Sequence, residues 1–392
     1  MSEAVVVAGA RTAIGTAYKG SLVNVSAFDL AEAVVNELVA RAGLGPADVD
    51  DLVLAENLYG GGVIARHVAV STGLTTVPGM SLNRHCAAGL SAITTAAANI
   101  IAGMQQTAIA GGTNSQSTAP RTSWRDPATG EEHKFWISPS HPNTPTAPNL
   151  DMSITVGHNT AVEAGLTRAD MDQWAFDSHR KARAAIADGR LAAEIVPLKI
   201  DRGDEGTVLF EVDEHPREST LEKLASLPVL HPEIEGFEVT AASSAGLNDA
   251  AAGVVLMSAE RAADRGLTPL ATVKSWASVG VAPERTGMAP VEAIPKALAL
   301  AGLSVSDVDL WEINEAFASV PLAATRALGI DPGIVNPVGS GCSLGHPISA
   351  SGARMVVSLV NELGRRGGGI GVASMCAGGG MGQAVVLEVA GA

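Results

Sequence analysis

Aromatic residues are scarce in this chain, 3% of 392, while glycine alone accounts for 43 positions. With Ala and Val abundant as well, that balance suits helices packed closely against buried sheets, and not a solenoid or a disordered tail. Cysteine is scarcer still. Cys86, Cys342 and Cys376 are odd in number and far apart, which speaks against a disulfide framework and for a reducing, cytoplasmic compartment. Metal-ligand spacings of the CxxC or HExxH kind are missing, so no metal site is expected. No basic run interrupts a net charge of −15, which argues against nucleic acid or an anionic membrane as partner. An anionic substrate then needs local Arg or Lys to hold it. No basic segment precedes the apolar run after Ser2-Glu3, and no apolar run reaches membrane-spanning length. Neither a signal peptide nor a transmembrane span is expected.

What the chain does contain is alternation. Residues 3–9 form a β-branched apolar run of the kind buried on both faces of a sheet, followed by a polar loop over 11–20. Residues 29–42 place Ala31, Val34, Val35, Leu38 and Val39 on one helical face, until Gly43 and Pro46 end the helix. Residues 49–55 read as another buried strand, and 107–112 as a strand closed by a glycine turn. Apolar strands alternating with helices imply an α/β fold. From 117 to 152 the texture changes, with six prolines amid Trp124, Phe135 and Trp136, and reads as a lid or interface excursion. An amphipathic helix over 167–189, with Thr167 as its N-cap, follows.

The chain also repeats itself. Ala42-Gly43-Leu44 with Asp48-Val49-Asp50 recurs as Ala301-Gly302-Leu303 with Asp307-Val308-Asp309, at a spacing of 259 residues. Ala110-Gly111-Gly112 recurs as Ala377-Gly378-Gly379 at a spacing of 267. Two like α/β halves with a long insertion between them is the economical reading.

Four segments are candidates for chemistry, and each also has a plain structural explanation. Cys86 lies where a strand turns into a helix (Asn83-Arg84-His85-Cys86-Ala87-Ala88-Gly89), where helix N–H groups and the dipole favour a thiolate. A small buried hydrophobe would also fit. Asn314-Glu315 ends an apolar run and suits either ligand contact or capping of the next helix. His346 stands in Gly339-Ser340-Gly341-Cys342-Ser343-Leu344-Gly345-His346-Pro347, locked by the proline; lone histidines are commonly structural. Cys376 precedes Ala377-Gly378-Gly379-Gly380, where backbone N–H groups are free to meet a ligand or where sheet and helix simply pack. Cys342 reads as filler.

Together these segments resemble one family, the thiolases (acetyl-CoA acetyltransferases and 3-ketoacyl-CoA thiolases). The resemblance begins at Ala10-Arg11-Thr12-Ala13-Ile14-Gly15 and extends over nearly the whole chain. It implies a five-layer αβαβα arrangement of two halves, residues 1–117 with 248–268 and residues 269–392, and a loop domain over 118–247 covering the CoA cleft. It implies a homodimer or homotetramer that acts on acyl-CoA and CoA as substrates, with no permanently bound cofactor. The activity implied is reversible Claisen condensation of acyl-CoA, or thiolysis of 3-ketoacyl-CoA, as in fatty acid metabolism. Cys86 would carry the acyl group, His346 would take its proton, and Cys376 would move the α-proton. One oxyanion site would pair His346 with a water held by Asn314, the other the N–H groups of Cys86 and Gly378. Arg217 would meet the nucleotide end of CoA, though a solvated surface Arg reads equally well, and Ser244 and Gly246 would line the pantetheine arm.

The chain departs from the family pattern at Ala88, Asn114, Gln116, Ala245, Thr286 and Val338-Gly339-Ser340, and near Met152–Asn159 the match needs a shift of one residue. These positions touch the acyl and pantetheine walls, so chain-length preference does not carry over. Three other readings compete. A ketoacyl synthase of the same fold uses Cys with two His, which Asn314 and Cys376 contradict. A silent CoA-ester binder and a thiol-dependent hydrolase are the others, the latter because Cys, His and Asn also meet there.

Overall fold

In the computed structural model, which describes residues 2–59, 62–203 and 206–391, the first apolar run becomes strand β1 (Ala4–Thr12). It runs further than the hydrophobic pattern. Arg11 and Thr12, expected in a polar loop, finish the strand fully buried. Arg11 Nε donates to Glu194 at 2.6 Å, and its two Nη atoms donate to Asp213 at 2.7 and 2.8 Å. A buried cation needs such complete pairing.

The remaining main elements are α1 (Ala27–Ala42), β2 (Asp51–Ala55), α2 (Ile64–Ser71), β3 (Gly79–Leu82), α3 (Ala88–Ile101), β4 (Thr107–Ser115), α4 (Arg168–Ala187) and β5 (Asn248–Ser258). They continue with β6 (Ala271–Gly280), α5 (Ala289–Ala301), β7 (Leu310–Ile313), α6 (Ser319–Leu328), α7 (Ile348–Arg365), β8 (Gly369–Ala377) and β9 (Met381–Val389). The strands run side by side in the order β7-β8-β9-β6-β1-β5-β4-β2-β3. Outward from β1 the pairings are antiparallel to β5, antiparallel to β4, then parallel to β2 and β3. Outward from β6 the same series recurs: antiparallel to β9 and β8, parallel to β7, then a parallel bridge from Trp311 to Val335. The halves join where β1 meets β6, through Val5–Thr272 and Val6–Ala271.

Helices α1 and α2 cover one half-sheet, α5 and α6 the other, and α3 with α7 fill the space between. This is the five-layer αβαβα order. The first sequence repeat marks equivalent places in the two halves. Gly43 (φ 60°) ends α1 and Gly302 (φ 71°) ends α5, and each is followed by a 3₁₀ turn and a strand. Only glycine adopts that left-handed cap without strain.

The second repeat does not mark equivalent places. Ala110-Gly111-Gly112 lies inside β4, which continues to Ser115, whereas Ala377 is the last residue of β8. The glycines are needed there for clearance and do not form a turn. A Cβ on Gly111 would lie 2.2 Å from Ala252 O, and one on Gly112 would lie 2.0 Å from Ser349 O.

Close approach also governs the central layer. A Cβ on Gly89 would lie 2.8 Å from Ala353 N, and one on Gly352 would lie 2.4 Å from Leu90 N. The first turns of α3 and α7 therefore touch backbone to backbone. Cys86 and His346 stand in the loops that lead into those two turns.

In the insertion, Thr167 caps α4 by accepting from Asp170 N, as its sequence signal implies. The Trp124 ring stacks on His133 and Trp136, both at 5.8 Å. Residues Ser153–His158 form a π-helical turn. One extra residue in a helix takes this form, and this is where the family match needs its one-residue shift.

Candidate active site

Strand β3 ends at Leu82, α3 starts at Ala88, and Cys86 occupies the turn between, half-buried. The expectation of a helix-stabilised thiolate is not met. Burial pushes the Cys86 thiol up to about 11, and hydrogen bonds from the N–H groups of Gly378 and Cys86 itself only partly offset it. A helix terminus contributes about 0.3–1 kcal/mol, less than one pKa unit. Here its leading N–H groups are already engaged, Ala87 N with Arg84 O and Ala88 N with His85 O. The N–H groups of Gly378 and Cys86, the pair expected from the resemblance as oxyanion donors, thus both meet the Cys86 sulfur.

Cys376, near the end of β8, is buried. Its thiol is held well above the usual range by burial and then by the neighbouring Cys86. Two cysteines 290 residues apart in sequence thus lie within electrostatic reach of each other in the fold.

His346 lies at the end of the glycine-rich loop, two residues before α7. Its backbone N–H donates to Asn248 Oδ1 at 2.9 Å, and Gly345 (φ 106°) lies so close to Asn248 that a Cβ would sit 2.5 Å from it. Asn248 is held in turn by donating to Gly15 O at 3.0 Å, while its carbonyl accepts from Asn114 at 2.9 Å. On the ring, Nδ1 meets Ser351 Oγ at 2.6 Å, and Ser351 Oγ donates to Pro347 O at 3.0 Å. The hydroxyl proton being used, Nδ1–H is the donor and Nε2 keeps its lone pair. Nε2 is buried without a partner among the described residues. Burial, and next the charge of Arg354, lower the imidazole to about 4, so it is neutral at pH 7.

Asn314 follows β7, and its N–H donates to Ser374 O at 3.0 Å. Both atoms of its amide are buried and unpartnered among the described residues, with Oδ1 3.2 Å from where a Gly341 Cβ would stand. The helix-capping explanation therefore fails for Asn314. It fails for Glu315 too, because α6 has no side-chain cap. Glu315 instead accepts from Trp174 Nε1 (2.9 Å), Ser178 Oγ (2.6 Å), Asn336 Nδ2 (2.8 Å) and Cys342 N (3.1 Å). It ties α4 of the insertion to the loop that carries His346. Behind that loop Arg354 donates to Glu312 at 2.8 Å and to Ser340 Oγ at 2.9 Å. Burial raises the Glu312 carboxyl to about 7 against the pull of Arg354. Thr286 Oγ1 accepts from Gly380 N at 2.9 Å and pins the glycine turn.

The three residues expected at CoA are only partly gathered. Arg217 is exposed, and its backbone N–H donates to His179 Nδ1 at 3.2 Å. His215 lies against Gly246, whose Cβ would come 2.5 Å from its ring. Ser244 Oγ donates to Thr240 O at 2.7 Å, and the residue bridges to Phe317 beside Asn314-Glu315. Gly246 thus packs on His215, two residues before Arg217, while the Ser244 hydroxyl is spent on Thr240 O.

Sequence reasoning missed Ser351 and Asn248 as supports of His346. The first had a signal, a hydroxyl one turn beyond His-Pro. The second had none, lying 98 residues away. Among the described residues no cluster of His, Cys, Asp or Glu could hold a metal ion, and no helix is long and apolar enough to cross a membrane.

Two family models match the chain, the thiolase N-terminal domain over residues 4–260 and the thiolase C-terminal domain over 267–389. Beta-ketothiolase BktB of Cupriavidus necator is 41% identical, with 98% of this chain and 99% of that protein aligned. The 3-ketoacyl-CoA thiolase of Bacillus subtilis is 39% identical over 99% of this chain and 100% of that protein. The crystal structure of the Bacillus anthracis acetyl-CoA acetyltransferase superposes with a TM-score of 0.92 at 38% identity, covering 99% of each chain.

Proposed function

This chain belongs to the thiolase family, and from that premise we propose how its residues divide the work of a CoA-dependent acyltransferase. Cys86 attacks the acyl-CoA carbonyl and holds the acyl group as a thioester, and CoA leaves as a thiol. Because the resting thiol and imidazole are both neutral, the Cys86 proton passes to His346 Nε2 as the S–C bond forms. The N–H groups of Cys86 and Gly378 then meet the oxyanion. Cys376, a thiol at rest, gives its proton to the departing CoA sulfur, and in condensation the thiolate so formed removes the α-proton of a second acyl-CoA. The enolate oxygen is stabilised by His346, now a donor at Nε2, and by a water on Asn314. In thiolysis the steps reverse, and Cys376 protonates the enolate.

One observation carries this reading. Buried polar atoms are nearly always paired, yet His346 Nε2 and both amide atoms of Asn314 are not. They stand beside a loop held by hydrogen bonds at Ser340, Cys342 and the His346 N–H. Incubation with an acyl-CoA followed by mass spectrometry tests it. Cys86→Ala is expected to take up no acyl group, and Cys376→Ala to be acylated but unable to condense. A label on Cys86→Ala protein refutes the assignment. Loss of 3-ketoacyl-CoA without added CoA would select a hydrolase, and binding without loss a silent binder.

Arg217, Ser244 and Gly246 are our candidates for the CoA contacts, supported by the contact of Gly246 with His215, two residues before Arg217. We assign residues 1–117 with 248–268 and 269–392 to the two halves, and 118–247 to a loop domain over the cleft. A cytoplasmic homodimer or homotetramer fits the exposed Met80 on edge strand β3 and the exposed Phe135, Ile137 and Leu150 of the insertion.

A further inference from the structure

Two histidines besides His346 stand at the reacting end of the cleft. His85, the residue before the nucleophile, has φ 46°, and its N–H donates to Asn83 Oδ1 at 2.8 Å. A left-handed backbone is strained for a residue with a Cβ, and here it sets the ring over the oxyanion donor. A Cβ on Gly378 would lie 3.7 Å from His85 Cγ and 3.9 Å from Met152 Sδ. From the insertion, Ser140 closes over Gly379, where a Cβ would come 2.7 Å from its own.

The next residue, His141, supplies the second imidazole. Asn149 Nδ2 donates to His141 O at 2.8 Å and Ser140 N donates to Asn149 Oδ1 at 3.2 Å, which fixes the amide. His141 Nδ1, 2.8 Å from that Oδ1, must therefore be a donor. Its Nε2 is left buried and unpartnered among the described residues. Burial first and then the neighbouring His141 lower the His85 imidazole, and Ser140 packed over Gly379 sets His141 beside the glycine turn that His85 covers. No ring nitrogen of His85 is bonded to a described residue.

We propose that this wall reads the far end of the acyl group, and that the preferred 3-oxoacyl-CoA carries a terminal carboxylate received by His85 and His141. The proposal rests on Cys86 being the acyl carrier, since only then does the acyl chain leave the Gly378 N–H toward these rings. An alkyl tail would strip water from three ring nitrogens and return no hydrogen bond, which is how a polar pocket rejects an apolar analogue. A terminal carboxyl group answers both rings: it accepts from a ring N–H of His85, and with one proton taken up from solvent it bonds His141 Nε2, whose lone pair has no other donor, while supplying the counter-charge their surroundings lack. Among the lining residues His85, Ser140, His141, Asn149 and Met152 none is acidic.

Thiolysis by the full-length enzyme tests this with three substrates: acetoacetyl-CoA, a methyl-ended six-carbon 3-oxoacyl-CoA, and its six-carbon counterpart ending in a carboxylate. The expected kcat/KM for the carboxylate substrate exceeds that for the methyl-ended one by at least about tenfold. In His85→Leu and His141→Leu that ratio falls toward one or inverts. The ratio is internal to each protein, so a change in absolute rate does not affect it. Preference for the methyl-ended chain, or a carboxylate preference that survives both substitutions, overturns the proposal while leaving the thiolase mechanism standing. Failure to cleave any of the three overturns both.

Discussion

His346 Nδ1 donates to Ser351 Oγ at 2.6 Å, and because that hydroxyl is already donating to Pro347 O, the contact fixes which imidazole nitrogen is free to receive a proton. A hydroxyl on the first turn of a helix thereby selects the tautomer of the imidazole two residues ahead of that helix. Ser351 is a positioning residue. Ser351→Ala is expected to lower kcat on the order of 10- to 100-fold with little change in KM for acetoacetyl-CoA. The pH–rate profile should also move. A serine that served packing alone would lower Tm and leave the profile in place.

Asn314 separates activity from stability. Its amide has no protein partner among the described residues, so Asn314→Ala removes no hydrogen bond that holds the fold. The variant should keep the Tm of the parent. Loss of one oxyanion donor lowers kcat about 100- to 1000-fold. A large fall in Tm would mean that the amide has a structural partner and would weaken its role at the enolate.

Glu315 should behave in the opposite way. Its carboxylate accepts four hydrogen bonds from three segments. Glu315→Gln puts an NH₂ donor where at least one donor already points. Breaking such a buried network costs about 2–4 kcal/mol, measurable as a shift in the urea midpoint. Proteolysis within the insertion should accelerate, since the carboxylate fastens α4 to the second half.

Acid stability follows from the buried histidines. Burial lowers His179, His215 and His346 from 6.5 to about 4. Between those values the unfolded chain binds protons that the folded chain refuses. The stabilisation is therefore complete above pH 6.5 and is lost as pH falls toward 4. Each group contributes a slope of about 1.4 kcal/mol per pH unit inside the window. Glu312, raised to about 7, opposes one of the three, because folded protein keeps its proton where unfolded protein does not. The raised carboxyls of Asp172 and Asp249 act in the same sense as Glu312. Tm should fall between pH 6.5 and 5, less steeply in His179→Asn. A flat profile would mean that these rings are not buried neutral.

The α/β class was legible because strand and helix periods are local properties, and the repeat was legible at Gly43 and Gly302, where a left-handed cap demands glycine. The repeat at Gly111 misled because glycine is also used for clearance, and clearance depends on what stands opposite. Cys86, His346, Cys376 and Asn314 were singled out as an ordered set of residue types. Arg11 was misjudged because its partners lie 183 and 202 residues away.

The sequence by itself determined which chemical groups this protein owns and the order of the elements that carry them. The tertiary structure alone decided their protonation states, the free nitrogen of His346 and the imidazole wall beside Gly378. Those depend on loss of water and on contacts between segments far apart in the chain, and neither is written in any local stretch of residues.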